Sequence, residues 1–202
     1  MTLTANHRTA DHDVEPMFLE RWSPRAFTAE PMTQELLMSL FEAARWAPSA
    51  FNGQPWRFVY AHRDTPHWDR LFSILIPYNQ AWVARASVLM FAVSDRFRRA
   101  EGREPQPMYS HSFDAGAAWG YLAMQAHAMG WAAHGMSGFD VKLAYELLDI
   151  PEAEYRVEAA IAVGKPTSAE VLAEPYRSRE TPSPRKRADT FAFEGLFRLD
   201  AI

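Results

Sequence analysis

The chain has 202 residues, 48% of them hydrophobic, which suits one domain with a sizeable core. Its formal net charge is −4 and its pI is near 6.0, so no general attraction to nucleic acid or to an anionic membrane is expected, and any anion site must be local. Cysteine is absent, which excludes disulfides, thiolate nucleophiles, Cys-ligated zinc and iron–sulfur clusters.

Residues 1–13 are polar and read as a flexible N-terminal segment, ahead of a single domain over 14–202 that ends in a C-terminal arm. The N-terminus lacks the apolar h-region of a secretory signal, and a cytoplasmic protein is expected. Val14 to Trp22 predicts a short helix with Met17, Phe18 and Trp22 facing inward. In the following Arg21-Trp22-Ser23-Pro24-Arg25-Ala26-Phe27, two arginines four apart flank a serine. A solvated turn and a phosphate clamp explain that spacing equally well, since guanidinium matches phosphate bidentately. Leu36, Leu37, Leu40, Ala43, Ala44 and Ala47 recur at helical spacing after Thr33, a good N-cap. Pro48 discourages that helix from continuing. The loop Pro48-Ser49-Ala50-Phe51-Asn52-Gly53-Gln54-Pro55-Trp56 then offers a hydroxyl and two amides between prolines. Asn and Gln each carry a donor and an acceptor, as a polar heteroaromatic ligand requires; a turn that caps its own backbone is the plainer reading of the loop alone.

Arg57 to Ala61 predicts a strand, Pro66 to Ile76 a short helix, and Asn79 to Val83 the start of a further helical turn. Ser87 to Ser94 is a continuous apolar run of strand length, which predicts a strand buried on both faces. Residues 96–109 form a charged loop with two prolines, whose arginines serve solubility on the plain reading. Ala115 to Phe139 carries no formal charge, and a helix over about Ser112 to Met129 is apolar nearly all round, so it is expected to be buried on all sides, at a subunit interface. His127 and His134 read as satisfied core or interface groups, and without a paired carboxylate in register no metal site is expected. Trp131 to Gly138 reads as a strand running into a glycine turn, Asp140 as the cap of a helix over Val141 to Leu148, and Val157 to Val163 as another strand. The tail holds Arg185-Lys186-Arg187. No glycine-rich dinucleotide fingerprint or P-loop occurs. Strands and helices do not strictly alternate, which predicts an α+β fold with a central, mainly antiparallel sheet.

The loop pattern P-S-x-x-N-x-Q-P-W and the pattern R-x-S-x-R-x-F together resemble the nitroreductase family of FMN-dependent oxidoreductases, over about Leu19 to Arg187. The resemblance implies a three-layer sandwich with a long buried helix at the interface of an intertwined homodimer, and FMN bound at that interface. It implies that Arg21 and Ser23, with Trp22 between them, meet the flavin phosphate end, and that Arg25 reaches the ring. Pro48, Ser49, Asn52 and Gln54 are carried over as flavin-loop residues, and Asn79 as a residue near the ring. Some relatives have a lysine where Trp82 stands, so a second cation over the ring is not expected from there. Met136, Ser137 and Gly138 match the element whose backbone N–H points at flavin N5; the family often has an acidic residue where Ser137 stands, a change that a backbone contact tolerates. Arg185 and Arg187 match the spacing of the second half of the phosphate clamp.

The activity so implied is transfer of electrons from NAD(P)H through FMN to nitroaromatic, quinone or related acceptors by a ping-pong mechanism, with no catalytic side chain required because the flavin carries the chemistry. Other flavin chemistry on the same fold, such as flavin breakdown or heterocycle dehydrogenation, and a non-catalytic flavin-binding role remain alternatives.

Overall fold

The computed structural model describes residues 6–99 and 101–198. Part of the N-terminal segment expected to be flexible, residues 1–5, and the last four residues of the arm lie outside the described residues.

A four-stranded antiparallel sheet forms the middle layer. Its strands are β1 (Trp56–His62), β2 (Val88–Asp95), β5 (Ala132–Met136) and β6 (Tyr155–Gly164), in the order β1-β2-β6-β5. All of β2 is buried, because it is central and covered on both faces. Its alternate residues feed two cores. Val88, Met90 and Ala92 face α2 (Gln34–Arg45) and α5 (His111–Ala128). Leu89, Phe91 and Val93 face the opposite core, which also takes residues of α3 (Trp68–Ser73), α4 (Pro77–Val83) and α6 (Val141–Leu147), with Phe27 from the arginine motif. The expected α+β sandwich is therefore present.

Local chemistry sets the element ends. The Thr33 hydroxyl accepts from Leu36 N at 3.3 Å and the Asp140 carboxylate from Leu143 N at 3.0 Å, as the sequence predicts. Pro77 opens α4, at a position where its missing N–H costs nothing. The segment before it is helical over Trp68–Ser73 alone, shorter than its apolar spacing suggests.

Two expectations need correction. Phe18, on α1 (Pro16–Glu20), is 57% exposed instead of facing inward, because the helix lies on the surface and buries none of its residues. The 96–109 segment is not wholly loop: β3 (Phe97–Arg98) pairs with β4 (Gln106–Pro107), held at its base by Arg99 bonding Asp95 and Glu154. Within one chain, Ala115, Ala118, Leu122 and Ala126 of α5 pack inward, while Phe113 and Tyr121 stand out on the opposite face.

Candidate functional site

A groove of about 1000 Å³ runs along the open side of α5. Arg21 and Ser23 line it, as do Gly120, Met124 and Ala128 of α5, and Gly135, Met136 and Ser137 where β5 ends. Gly135 keeps the floor flat, since a Cβ there would press against the Trp119 ring at 3.1 Å. Beyond Ser137, the Gly138 carbonyl accepts from Ile76 N at 3.2 Å and from the buried Asn79 amide at 2.9 Å. The Asn79 oxygen in turn accepts from Trp82 Nε1 at 3.3 Å, so Asn79 fixes the turn through its side chain. A Cβ on Gly138 would collide with that amide and with Ile76.

Arginines gather at the other end. Arg8 donates to the carbonyls of Arg21 at 2.8 Å, Leu19 at 3.1 Å and Ser183 at 2.9 Å, tying the N-terminal segment, the arginine motif and the C-terminal arm together. Arg185 donates to the Ser183 and Pro184 carbonyls and the Ser183 hydroxyl. Burial and the nearby Arg185 lower the pKa of both Arg8 and Arg21. Among the described residues no carboxylate pairs with Arg8, Arg21 or Arg185; their polar contacts are carbonyls and hydroxyls. Three guanidiniums that repel one another without a local acid have the chemistry to take an anion. A cavity of about 280 Å³ beside them is lined by Arg8, Trp22, Ser23, Arg25, His134 and Arg185, with Arg179, Thr181 and Ser183 completing it.

His134 supports the arginine motif from below. Its Nδ1 is 3.0 Å from the Pro24 carbonyl, which only accepts, so Nδ1 carries the proton. Its ring lies 4.6 Å from that of Trp82. Burial holds its pKa down at about 4. Arg25 sits above, with its guanidinium 6.0 Å from the Trp82 ring.

The structure thus brings Arg21, Trp22, Ser23, Arg25, Met136, Ser137 and Arg185 to one groove and the cavity behind it. It does not bring Pro48, Ser49, Asn52 and Gln54 there. Their loop is anchored at the opposite end of α5, where the buried Asp114 accepts from Ala50 N at 3.1 Å and Ser110 Oγ at 2.9 Å. Within the loop the Ser49 hydroxyl accepts from Gln54 N at 3.1 Å. Phe51, Asn52 and Gln54 all have positive φ, at 52°, 52° and 46°, although none is glycine. Such strain persists only where the surroundings impose it. The Arg98 guanidinium covers the exposed Phe51 ring at 4.8 Å. Arg187 also stands apart, paired with Asp189 at 3.4 Å and Asp11 at 3.8 Å.

Arg8, His134 and Arg179 were not among the residues singled out from the sequence for this site. Arg8 lies in a polar segment without a motif, and only the tertiary hydrogen bonds reveal its place. The run Arg177-Ser178-Arg179-Glu180 is a visible charge cluster, but its spacing indicates no partner.

The nitroreductase family model matches residues 19–76 and 73–165. No curated protein matches the chain. An oxidoreductase solved with FMN is 46% identical, with a TM-score of 0.91 over 98% of this chain and 99% of that one. A Desulfovibrio desulfuricans protein assigned as a nitroreductase and solved in complex with FMN is 27% identical, with a TM-score of 0.69 over 91% of this chain and 96% of that one. A Clostridium acetobutylicum protein assigned as an NADH oxidase shares the fold at 21% identity, with a TM-score of 0.66 over 89% of this chain and 99% of that one. The motifs, the sandwich and the family match agree: the chain belongs to the nitroreductase family.

Proposed function

We propose that this protein is an FMN-dependent oxidoreductase that takes electrons from NAD(P)H and gives them to a small acceptor such as a nitroarene or quinone. The observation that carries the reading is the acid-free guanidinium cluster of Arg8, Arg21 and Arg185 beside a groove that Arg21 lines together with the glycine-flanked end of β5. The residues fit FMN. One cluster suits one phosphate, which favours FMN over a dinucleotide, and the flat backbone from Gly135 to Gly138 suits a planar ring.

Bound there, FMN supplies hydride acceptance and hydride donation. The chain holds and orients it. Arg21, Ser23 and Arg185 take the phosphate, and Arg8 keeps their backbone in place. The N–H groups at Met136 to Gly138 direct the ring edge, and Asn79 keeps that turn rigid. Arg25 would hold the N1/C2 edge of the ring, where negative charge collects on reduction, and its guanidinium would favour the reduced form selectively. Donor and acceptor occupy the same open face in turn, which makes the kinetics ping-pong.

A homodimer completes the site. The uncovered face of α5, with Phe113, Gly116, Tyr121 and Met124, is apolar and free of formal charge. The 48–56 loop is anchored at Asp114, and the groove follows α5 from Ala117 to Ala128. A two-fold packing of α5 on α5 sets the loop of one protomer over the groove of the other.

Purified protein is expected to show a flavin band, release FMN on heating, and bleach on anaerobic addition of NADH or NADPH. Arg21→Ala is expected to weaken FMN binding and leave reduction near normal at saturating FMN. Arg25→Ala should instead lower the midpoint potential and slow reduction by ~10²-fold. Release of FAD, or no bleaching with either nucleotide, overturns the proposal.

A further inference from the structure

Glu180 has no part in the binding just described, yet it is one of the few charged side chains buried in the fold, at 3% exposure. Its Oε1 accepts from the backbone N–H groups of Arg25 and Ala26 at 2.6 and 2.7 Å. Its Oε2 is buried with no hydrogen-bond partner, 3.9 Å from the Arg25 guanidinium. Fixing two backbone N–H groups needs only a neutral carbonyl oxygen, as a glutamine would supply. A carboxylate does the same task at a higher desolvation cost, and its second oxygen recovers little of that cost. What the carboxylate adds is negative charge beside Arg25. With the two side chains 2% and 25% exposed, water screens that charge weakly.

We propose that Glu180 sets the redox potential of the flavin, by holding Arg25 in position and offsetting part of its positive charge. The inference rests on Arg25 lying at the N1/C2 edge of the ring. A lone guanidinium there stabilises the reduced anion over the neutral oxidised ring. A carboxylate behind the guanidinium reduces that preference, and so keeps the reduced flavin a stronger donor to acceptors of low potential. Glu180 touches Arg25 and not the flavin, so it is a positioning residue with a charge of its own. Burial pushes its carboxyl pKa upward, while Arg25 and the two N–H donors oppose that shift.

The test is redox titration of FMN-loaded wild type, Glu180→Gln, Glu180→Asp and Arg25→Ala, with FMN dissociation constants and melting temperatures for each. Glu180→Gln keeps an oxygen for both N–H donors and removes the charge. It is expected to raise the midpoint potential, tightening reduced FMN relative to oxidised on the order of tenfold, with melting temperature and oxidised-FMN affinity near wild type. Glu180→Asp withdraws the charge by one methylene and should raise the potential by a smaller step; it serves as the reading where Glu180→Gln does not accumulate as folded flavoprotein. Arg25→Ala is expected to lower the potential. An unchanged or lowered potential in the Glu180 variants, with Arg25→Ala lowered, overturns the inference and leaves the placement of Arg25 standing. An unchanged potential in Arg25→Ala overturns that placement, and the inference with it.

Discussion

His134 shows how one buried side chain couples the site to acidity. Its neutral ring donates to Pro24 and carries the turn between Arg21 and Arg25. Burial depresses its pKa from 6.5 to about 4, so between those values the unfolded chain takes up a proton that the folded chain refuses. Stability from this group is therefore intact above the unfolded value and is lost as pH falls towards the folded one, by about 3 kcal/mol in the limit. Glu180, with its pKa raised by burial, acts in the opposite sense at acid pH, because the folded state accepts its proton first. His134→Asn retains a donor for Pro24 and cannot titrate. Its melting temperature should fall less than that of wild type between pH 6.5 and 4, the range that the imidazole spans. Equal slopes in thermal melts across that range would show that His134 does not carry the effect.

The element that links sequence to site most directly is the loop from Pro48 to Pro55. Its amides and prolines are plain in the sequence, and so are the ends of α2, β2 and α6, because local propensity and burial there agree. Its anchor is not plain. Asp114 is 64 residues from Ala50, and nothing in its neighbourhood marks it as more than a first-turn acid. The same limit applies to the base of the β3–β4 ribbon, where Arg99 bonds Glu154, 55 residues away. Left-handed conformations at Phe51 and Gln54 are likewise invisible to composition, since neither residue favours them. Asp114→Ala should cost about 2 kcal/mol in urea unfolding, the worth of hydrogen bonds to one buried carboxylate. The strained residues are then free to relax, and FMN affinity is expected to drop at least as far as in Asn52→Ala. An Asp114→Ala protein that melts like wild type and keeps its flavin would mean that the loop holds its shape unaided.

At the scale of the whole molecule, the dimer proposed above would build each flavin site from two copies of the chain, the loop of one over the guanidinium cluster of the other. Consider two homodimers that each bind FMN weakly, one carrying Arg21→Ala and the other Ser49→Ala with Asn52→Ala. Unfolded together in equal amounts and refolded, they exchange partners at random. Half of the resulting dimers are mixed, and in each of these one site inherits both lesions while the other inherits neither. About a quarter of all sites should then regain wild-type affinity for FMN, with a ceiling fixed by counting and not by energetics. A mixture that retains no bound flavin after desalting, from FMN concentrations that saturate wild type, would place the loop and the cluster of each site on the same chain. Rescue also makes a prediction for inheritance: two alleles that are each silent can restore a flavoprotein when expressed together.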